Sequence, residues 1–310
     1  MRVTQNLFSD SLVGRLGKLT TRQYELQNQV SSGLKVQAPS DNPGAMQSVL
    51  HYKNSQVANE TYADNAAALQ TRAATVYNVL QQLSTISSNV GVTATAAGDV
   101  VQKDLSVYAG SVDDALESAL EQVNKKDPTT GQYLFGGTAS AQPPFVATRD
   151  ASGKVTAVAY QGNSSVNFAE IGDGATATAD VLGSSASGTR GLITDSISGA
   201  DFFNHLISLR DHLLANDKTS LVNTDIPALR KDEDNFLYQI SVNGSLQSRL
   251  ESAKDSSTES TASLNKLISG AADADIIDTM VQMTQAQTSY QAALQSGAKI
   301  MQLSLLNYLQ

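Results

Sequence analysis

Three acidic residues form the first group in the sequence that could support chemistry. Asp113, Asp114 and Glu117 fall within one turn of a predicted helix, and paired carboxylates of this kind can act as general acids and bases. Solvated acidic side chains on a helix are far more common, and the surrounding sequence shows no pattern typical of a pocket. We interpret the three residues as a solvated helix face and predict no catalytic residue.

Two histidines form the second group. His205 and His212 are seven residues apart, so they share a helix face, but two turns separate them by roughly 10 Å. That distance is too long for both to bind one metal ion, and the sequence contains no cysteine. The glycine-containing segment IGDGAT (171–176) matches no phosphate-binding pattern. We predict no metal site, no cofactor, and a surface or packing role for both histidines.

The composition excludes several classes of partner. The chain has 310 residues, a net charge of -9 and only 5% aromatic residues. An acidic chain without a run of Lys and Arg is unsuited to nucleic acid, and few aromatic residues favour thin helical layers over a ligand pocket. No segment approaches ~18 consecutive apolar residues, so no membrane span is expected. The N-terminus lacks the apolar core of a cleaved signal peptide, so any export is expected to occur without one.

The N-terminal segment is predicted to be a helix with one apolar stripe, because its apolar residues recur every three or four positions. The stripe consists of Leu12, Leu16, Leu19, Leu26 and Val30. The segment SSGLKVQAPSDNPGA (31–45) then interrupts the helix, since proline and glycine oppose its continuation. Asn42 before Pro43 is typical of an N-cap and first turn, so a second helix is predicted to begin there.

Helices and then strands are predicted in the middle of the chain. A heptad pattern covers 69–90, the glycines of 91–98 indicate a turn, and a third helix is predicted over 101–125. From about 132 to 198 the pattern changes to short alternating runs separated by turn residues. The runs KVTAVAY (154–160) and SVNFAEI (165–171) are predicted strands.

Helical periodicity returns in the last third of the chain. It covers 202–213 and 229–267, a break is predicted at 270–272, and a final helix over 276–310 has few charged residues. The apolar stripe of this last helix is predicted to contain Ile276, Met280, Met283, Tyr290, Leu294, Met301, Leu305 and Tyr308. A helical surface with so few charges is typical of one that another protein covers.

The predicted fold is mainly α with a central β-rich insert, elongated, with long helices from both termini nested around each other. The predicted domains are a terminal-helix domain (1–42 and 276–310), a long-helix bundle (43–137 and 199–275) and an outer β-rich domain (138–198). Helix pairs rich in Gln, Ser and Ala bury little apolar area, so the free energy gained by burial is small compared with the conformational entropy lost when the helices become ordered. We therefore expect the terminal domain to be disordered in the free subunit and to fold on assembly.

Four motifs resemble the flagellin family. QVSSGLKVQAPSDNPGAM (29–46) resembles the connection between the first and second helices, and its PSDNP is similar to the P-S-D-D-P of members that join hook to filament. Asn42 replaces the second acid and can still cap a helix. GQYLFGGTASAQPPF (131–145) and AYQGNSSVNFAEIGDG (159–174) resemble segments of the outer domain, and LSLLNYLQ (303–310) is similar to the terminal helix. The resemblance covers both ends and the middle of the chain.

The resemblance implies a secreted structural subunit of the bacterial flagellum that adapts the hook to the filament. Members of the family are exported through the flagellar type III apparatus and assemble through their terminal helices. The implied partners are further copies of this chain, hook-associated protein 1, flagellin and a cytoplasmic export chaperone. A flagellin-type filament subunit is the alternative within the family. The alternative from another class of protein is a signalling or chaperone coiled coil. Such a protein would have uninterrupted heptads, whereas this chain is predicted to contain a β insert.

Assembly contacts are assigned to residues of the two terminal helices, namely Leu12, Leu16, Leu19, Leu26, Leu294, Met301 and Leu305. The last three are also the expected contact for the export chaperone. The segment 31–45 is interpreted as a spoke between helical layers. Its hinge positions are Gly33, Pro39, Asn42, Pro43 and Gly44. We expect Gly33→Ala to alter the mechanics of this spoke before it alters stability.

Overall fold

The computed structural model describes residues 2–99, 104–185 and 188–309, with the side chains of 10–99, 104–185 and 188–299. The helices are α1 (Arg2–Ser32), α2 (Pro43–Asp99), α3 (Ser106–Val123), α4 (Phe202–Leu214), α5 (Lys218–Ser220), α6 (Ile226–Ala272) and α7 (Ile276–Leu309), with a π-helical turn (Leu221–Asp225) before α6. The strands are β1 (Phe145–Arg149), β2 (Val155–Tyr160), β3 (Ala169–Gly172), β4 (Ala175–Ala177), β5 (Thr194–Asp195) and β6 (Ala200–Asp201). The prediction of a mainly α fold with long terminal helices and a small central β region is confirmed.

Several helix boundaries agree with the sequence signals. α6 ends at Ala272, within the predicted break, and α7 begins at Ile276 as predicted. α2 begins at Pro43, and the Asn42 side chain accepts a hydrogen bond from the backbone N–H of Ala45 (3.1 Å). Asn42 therefore satisfies one of the free N–H groups in the first turn of α2, which is the role its position predicts.

The predicted turn at 91–98 is wrong, because α2 continues through both glycines to Asp99. A Cβ added to Gly98 would lie 3.4 Å from Val222 Cγ2 and 3.7 Å from Ile226 Cδ1. The missing side chain thus lets α2 approach the start of α6, and this packing outweighs the low helix propensity of glycine. The predicted third helix is α3, which covers Ser106–Val123 and so ends within two residues of the predicted end. It begins later than predicted, because residues 104 and 105 are not helical, and positions 101–103 lie outside the described residues.

Among the residues that the structure describes, the β region consists of three antiparallel hairpins, β1–β2, β3–β4 and β5–β6. The predicted strand at 154–160 is confirmed by β2, whereas the predicted strand at 165–171 is mostly loop and becomes β3 only at Ala169. The backbone N–H of Asn167 donates to Asp180 Oδ2 (2.8 Å), so this part of the segment pairs with a side chain instead of a neighbouring strand. Each hairpin pairs strands that are adjacent in the chain.

The chain divides into two compact units, one of residues 1–58 with 260–310 and one of 59–259. The predicted domain boundaries remain a prediction. The second unit contains a core shared by α2, α3, α4, the π-helical turn and the start of α6. Phe145 of β1 and Val155 of β2 belong to the same core, and the Phe145 ring lies 5.7 Å from that of Phe203. The first hairpin is therefore held by packing against helices.

Candidate assembly surface

The first unit is built on α1 and α7, which pack against each other and run antiparallel. Arg22 Nη2 donates to Gln282 Oε1 (2.8 Å), and Leu12 lies against Gly297 so closely that a Cβ there would overlap the Leu12 side chain. As residue numbers rise along α1, those of its partners fall along α7. Glycine at 297 therefore allows close approach of the two helices at this point.

The predicted stripe of α1 is largely covered within the chain. Leu26 is 1% exposed, and Leu12, Leu16 and Leu19 are half-buried. In this conformation Leu26 is not accessible to a second subunit. The assembly role assigned to the four leucines of α1 remains a prediction, and their visible role is packing inside the first unit.

The apolar stripe predicted for α7 is only partly covered within the chain. Tyr290 and Met283 are half-buried, whereas Met280 and Leu294 are exposed, so these residues do not share one covered face. The buried positions among the described side chains of α7 are instead small residues, namely Thr279, Ala286 and Gly297. Small side chains let two helices approach closely, which explains why the packed face of α7 is not its most apolar face.

A second face of α7 is apolar and exposed, and we call it the outer α7 face: Ile276, Ile277, Met280, Val281 and Leu294. Ile277 is 79% exposed and Leu294 is 45% exposed. Four of these residues lie in the first two turns of α7, and Leu294 lies about 20 Å further along the helix. Exposed apolar groups of this kind are typical of a protein–protein contact. The helix continues through positions 301 and 305, but the side chains of Met301 and Leu305 lie outside those that the structure describes.

The spoke segment is fixed to the connection between α6 and α7. The backbone N–H of Lys35 donates to the carbonyl of Ala272 (2.7 Å), and that of Ala274 donates to the carbonyl of Gly33 (2.8 Å). Lys35 Nζ also donates to the carbonyl of Gly270 (2.9 Å). The two chain connections at this end of α1 and α7 are therefore joined by backbone hydrogen bonds.

Asp41 holds the second half of the spoke segment. Its Oδ2 accepts hydrogen bonds from the backbone N–H groups of Gln37 and Ala38, both at 2.9 Å. Donation by Ala38 and Gln37 lowers the pKa of Asp41, because these bonds favour its charged form. Asp41 is absent from the hinge positions predicted from the sequence, although Asp shortly before an N-cap is a recognisable turn signal.

Gly33→Ala is expected to reduce the free energy of unfolding by about 1–2 kcal/mol. Gly33 ends α1 with φ of 74°, which is costly for residues with a Cβ, although a Cβ there would meet no atom within 4 Å. We therefore expect stability to change at once, in contrast to the expectation from the sequence that the mechanics of the spoke would change first. Urea unfolding of the full chain measures the loss. Gly44→Ala, in the first turn of α2, is the control and should be neutral or stabilising; equal stability of both variants would contradict the prediction.

The acidic group proposed from the sequence consists largely of ion-pair partners. Asp113 contacts Lys154 Nζ (3.0 Å) and Arg210 Nη1 (3.2 Å), and Glu117 pairs with Arg149. The Arg149 hydrogen bond lowers the pKa of Glu117. These bonds hold the β1–β2 hairpin on α3 and α4. No local pattern in the sequence indicates the basic partners, because they are distant along the chain.

The two histidines are separate in their contacts, and each pairs with a different aspartate of the second unit. Among the residues that the structure describes, no three His, Cys, Asp or Glu side chains lie close enough together to hold a metal ion. Within the same described residues, no helix is both long enough and apolar enough to cross a membrane.

Comparison with known proteins links the C-terminal part of α6 and all of α7 to flagellins. Residues 238–309 match the bacterial flagellin C-terminal helical region. The matched segment contains the whole outer α7 face. No curated protein sequence gives a significant match.

Solved structures of flagellar proteins share the fold. A protein described as a flagellar hook-associated protein from Vibrio parahaemolyticus is similar with a TM-score of 0.62 and 18% identity, over 75% of this chain and 100% of that one. FlgL from Bacillus cereus is similar with a TM-score of 0.55 and 18% identity, over 69% and 97%. Flagellar hook-associated protein 3 from Legionella pneumophila gives a TM-score of 0.56 and 14% identity, over 71% and 98%. At these identities the likeness shows the fold.

Proposed function

We propose that this chain, which carries the C-terminal helical region of flagellins on the fold of flagellar hook-associated proteins, is a structural adaptor between the hook and the filament. The fold likeness extends over almost the whole length of the three proteins compared. The observation that carries the proposal is the outer α7 face, which remains exposed although α7 already has a different face packed against α1.

Assembly would bury the outer α7 face against a further copy of the chain or a neighbouring flagellar subunit. Fully burying an exposed side chain such as Ile277 contributes about 1.5–3 kcal/mol, and the partly exposed Leu294 contributes less. Since every copy repeats the contact, a modest gain per subunit stabilises a ring or helical layer. Leu294 is the assigned assembly residue whose exposure fits this role, and Met301 and Leu305 extend the proposal toward the C-terminus.

The proposed partners are a second copy of this chain, hook-associated protein 1 and flagellin. Before secretion through the flagellar type III apparatus, a cytoplasmic export chaperone would cover Leu294, Met301 and Leu305. The proposal includes further stabilisation of α1 and α7 on assembly, because each buries mainly one narrow stripe in the single chain. The spoke segment would transmit load between the helical layers through Gly33, Pro39, Asn42, Pro43 and Gly44.

A gene-deletion strain tests the adaptor function. Cells without the adaptor are expected to keep hooks, lack filaments and release unpolymerised flagellin into the medium. The second candidate, a filament subunit, is favoured by the match to the flagellin C-terminal region. Deleting a filament subunit would remove flagellin itself from the medium. Normal filaments in the deletion strain would refute the adaptor function.

Leu294→Asp is expected to prevent filament attachment when the variant is expressed in the deletion strain, because assembly would bury an unpaired charge. Ser296→Asp is the matched control: it adds the same charge two residues away, roughly 200° around the helix, at another exposed position. Electron microscopy of cells counts attached filaments, and circular dichroism verifies that both purified variants keep their helices. Equal filament counts for the two variants would exclude the outer α7 face from assembly.

A further inference from the structure

Two histidines of α4 pair with two buried aspartates at matching intervals. His205 Nδ1 lies 2.7 Å from Asp232 Oδ2 on α6, and His212 Nδ1 lies 2.7 Å from Asp225 Oδ2 in the π-helical turn. The histidines are seven residues apart and so are the aspartates, in antiparallel order. The π-helical turn places Asp225 at the position where it meets the second histidine.

Both aspartates are almost fully inaccessible to solvent, at 1% exposure each. A buried carboxylate is costly unless it is paired and hydrogen-bonded. Asp232 also accepts from the backbone N–H of Asp201 (2.9 Å), and Asp225 accepts from Ser208 Oγ (2.9 Å). Each carboxylate therefore has two donors, and of these only the histidine can supply a positive charge.

The histidine rings remain partly open to water. The side chain of His205 is 22% exposed and that of His212 is 31% exposed. A proton can thus reach either ring while the partner carboxylate stays buried. This combination of a titratable, accessible ring and an inaccessible acceptor occurs twice on the same pair of elements.

The charges around His205 favour its protonated form. Burial lowers its pKa, but the hydrogen bond and charge of Asp232, together with the charge of Asp201, outweigh burial and raise the pKa above the ordinary value of 6.5. Lys231 of α6 opposes this rise. Burial raises the pKa of Asp232, against the effect of His205. His212 faces Asp225 and, at longer range, Asp217.

We propose that the His205–Asp232 pair forms a proton-dependent clamp that holds α4 against α6 and loosens as His205 loses its proton, while the His212–Asp225 pair adds a second contact between α4 and the π-helical turn. The neutral ring still donates a hydrogen bond from Nδ1, but the buried carboxylate then has no compensating charge. The clamp acts within the second unit, so it does not depend on the adaptor function.

The raised pKa of His205 determines whether the stability contributed by the clamp rises or falls with pH. Because its pKa is raised on folding, its stabilisation is fully present below about pH 6.5 and is lost as pH rises through the folded-state value. Each unit by which the folded-state pKa exceeds the unfolded one corresponds to a tenfold change in the unfolding constant. The raised pKa of Asp232 also makes stability fall as pH rises, but this fall begins at a lower pH, above the ordinary Asp value of 3.8.

Amide hydrogen exchange on the full chain tests the clamp. Protection factors of α4 amides, corrected for the intrinsic pH dependence of exchange, are expected to be constant below about pH 6.5 and to fall as the pH rises above it. His205→Asn keeps a donor near the position of Nδ1 but cannot carry charge, so it should remove most of this fall. His51→Asn, at an exposed position of α2, is the matched control and should leave it unchanged.

Two results would overturn the clamp: α4 protection that does not change with pH in the wild type, or the same fall in His205→Asn as in the wild type. If His205→Asn does not fold, NMR titration of the His205 ring in the wild type decides instead. A midpoint above the ordinary value of 6.5 supports the clamp, and a midpoint at or below 6.5 refutes it.

Discussion

Phe236→Ala is expected to lower the free energy of unfolding by about 3–5 kcal/mol. The Phe236 ring is fully buried and meets the Phe202 ring edge-to-face at a centroid distance of 5.0 Å. The substitution removes this aromatic contact and leaves a cavity that the surrounding helices can fill only in part. Because Phe202 is on α4 and Phe236 is on α6, the substitution should weaken the packing between these two helices most.

Urea unfolding of the full chain, followed by circular dichroism, measures the effect of Phe236→Ala. Phe168→Ala is the matched control, since Phe168 is 65% exposed and its removal leaves no cavity. The control should stay within about 0.5 kcal/mol of the wild type. A loss below about 1 kcal/mol for Phe236→Ala would mean that the aromatic core contributes far less than its burial implies.

Arg72→Met is expected to cost about 3–5 kcal/mol, because it leaves two buried carboxylates without their counter-charge. Arg72 Nη1 lies 3.2 Å from Asp127 Oδ2, and Nη2 lies 2.8 Å from Asp180 Oδ1. Nη2 also donates to the carbonyl of Leu134 (3.3 Å). One guanidinium on α2 thus fixes the segment after α3 and the segment after β4.

The control for Arg72→Met is Arg149→Met, whose partner Glu117 is about half exposed. Exposed pairs contribute at most about 1 kcal/mol, so this variant should unfold close to the wild type in urea. Adding Asp180→Asn to Arg72→Met should recover part of the stability, since it removes one unpaired charge. Equal losses for the two arginine variants, with no recovery in the double variant, would show that burial of the carboxylates is unimportant.

Local signals in the sequence were sufficient to predict the position of several helices and strands. The start of α7 at Ile276 follows from the break before it, and the start of α2 follows from Asn42 and Pro43. The alternation in KVTAVAY is enough to predict β2. Each of these depends on residues within a few positions, which is where capping and side-chain periodicity act.

The candidate assembly site was predictable only in part. The sequence indicated that α7 presents an apolar surface, but its periodicity assigned Tyr290 and Leu294 to one stripe. The structure leaves Tyr290 half-buried but Leu294 exposed, because Ala286 and Gly297 are the positions at which α7 packs closely. Which face of an amphipathic helix is packed depends on the shape of its partner, and periodicity contains no information about that shape.

The sequence by itself determined the helical class, the nested order of the long helices around a β region, and the likeness of the C-terminal helices to those of flagellins. Only the tertiary structure decided that the glycines of 91–98 stay helical, that Arg72 joins two carboxylates, and that His205 and His212 face Asp232 and Asp225. The physical reason is the distance along the chain. Caps and periodicity are set by neighbouring residues, whereas close approach, burial and charge pairing depend on segments that folding brings together.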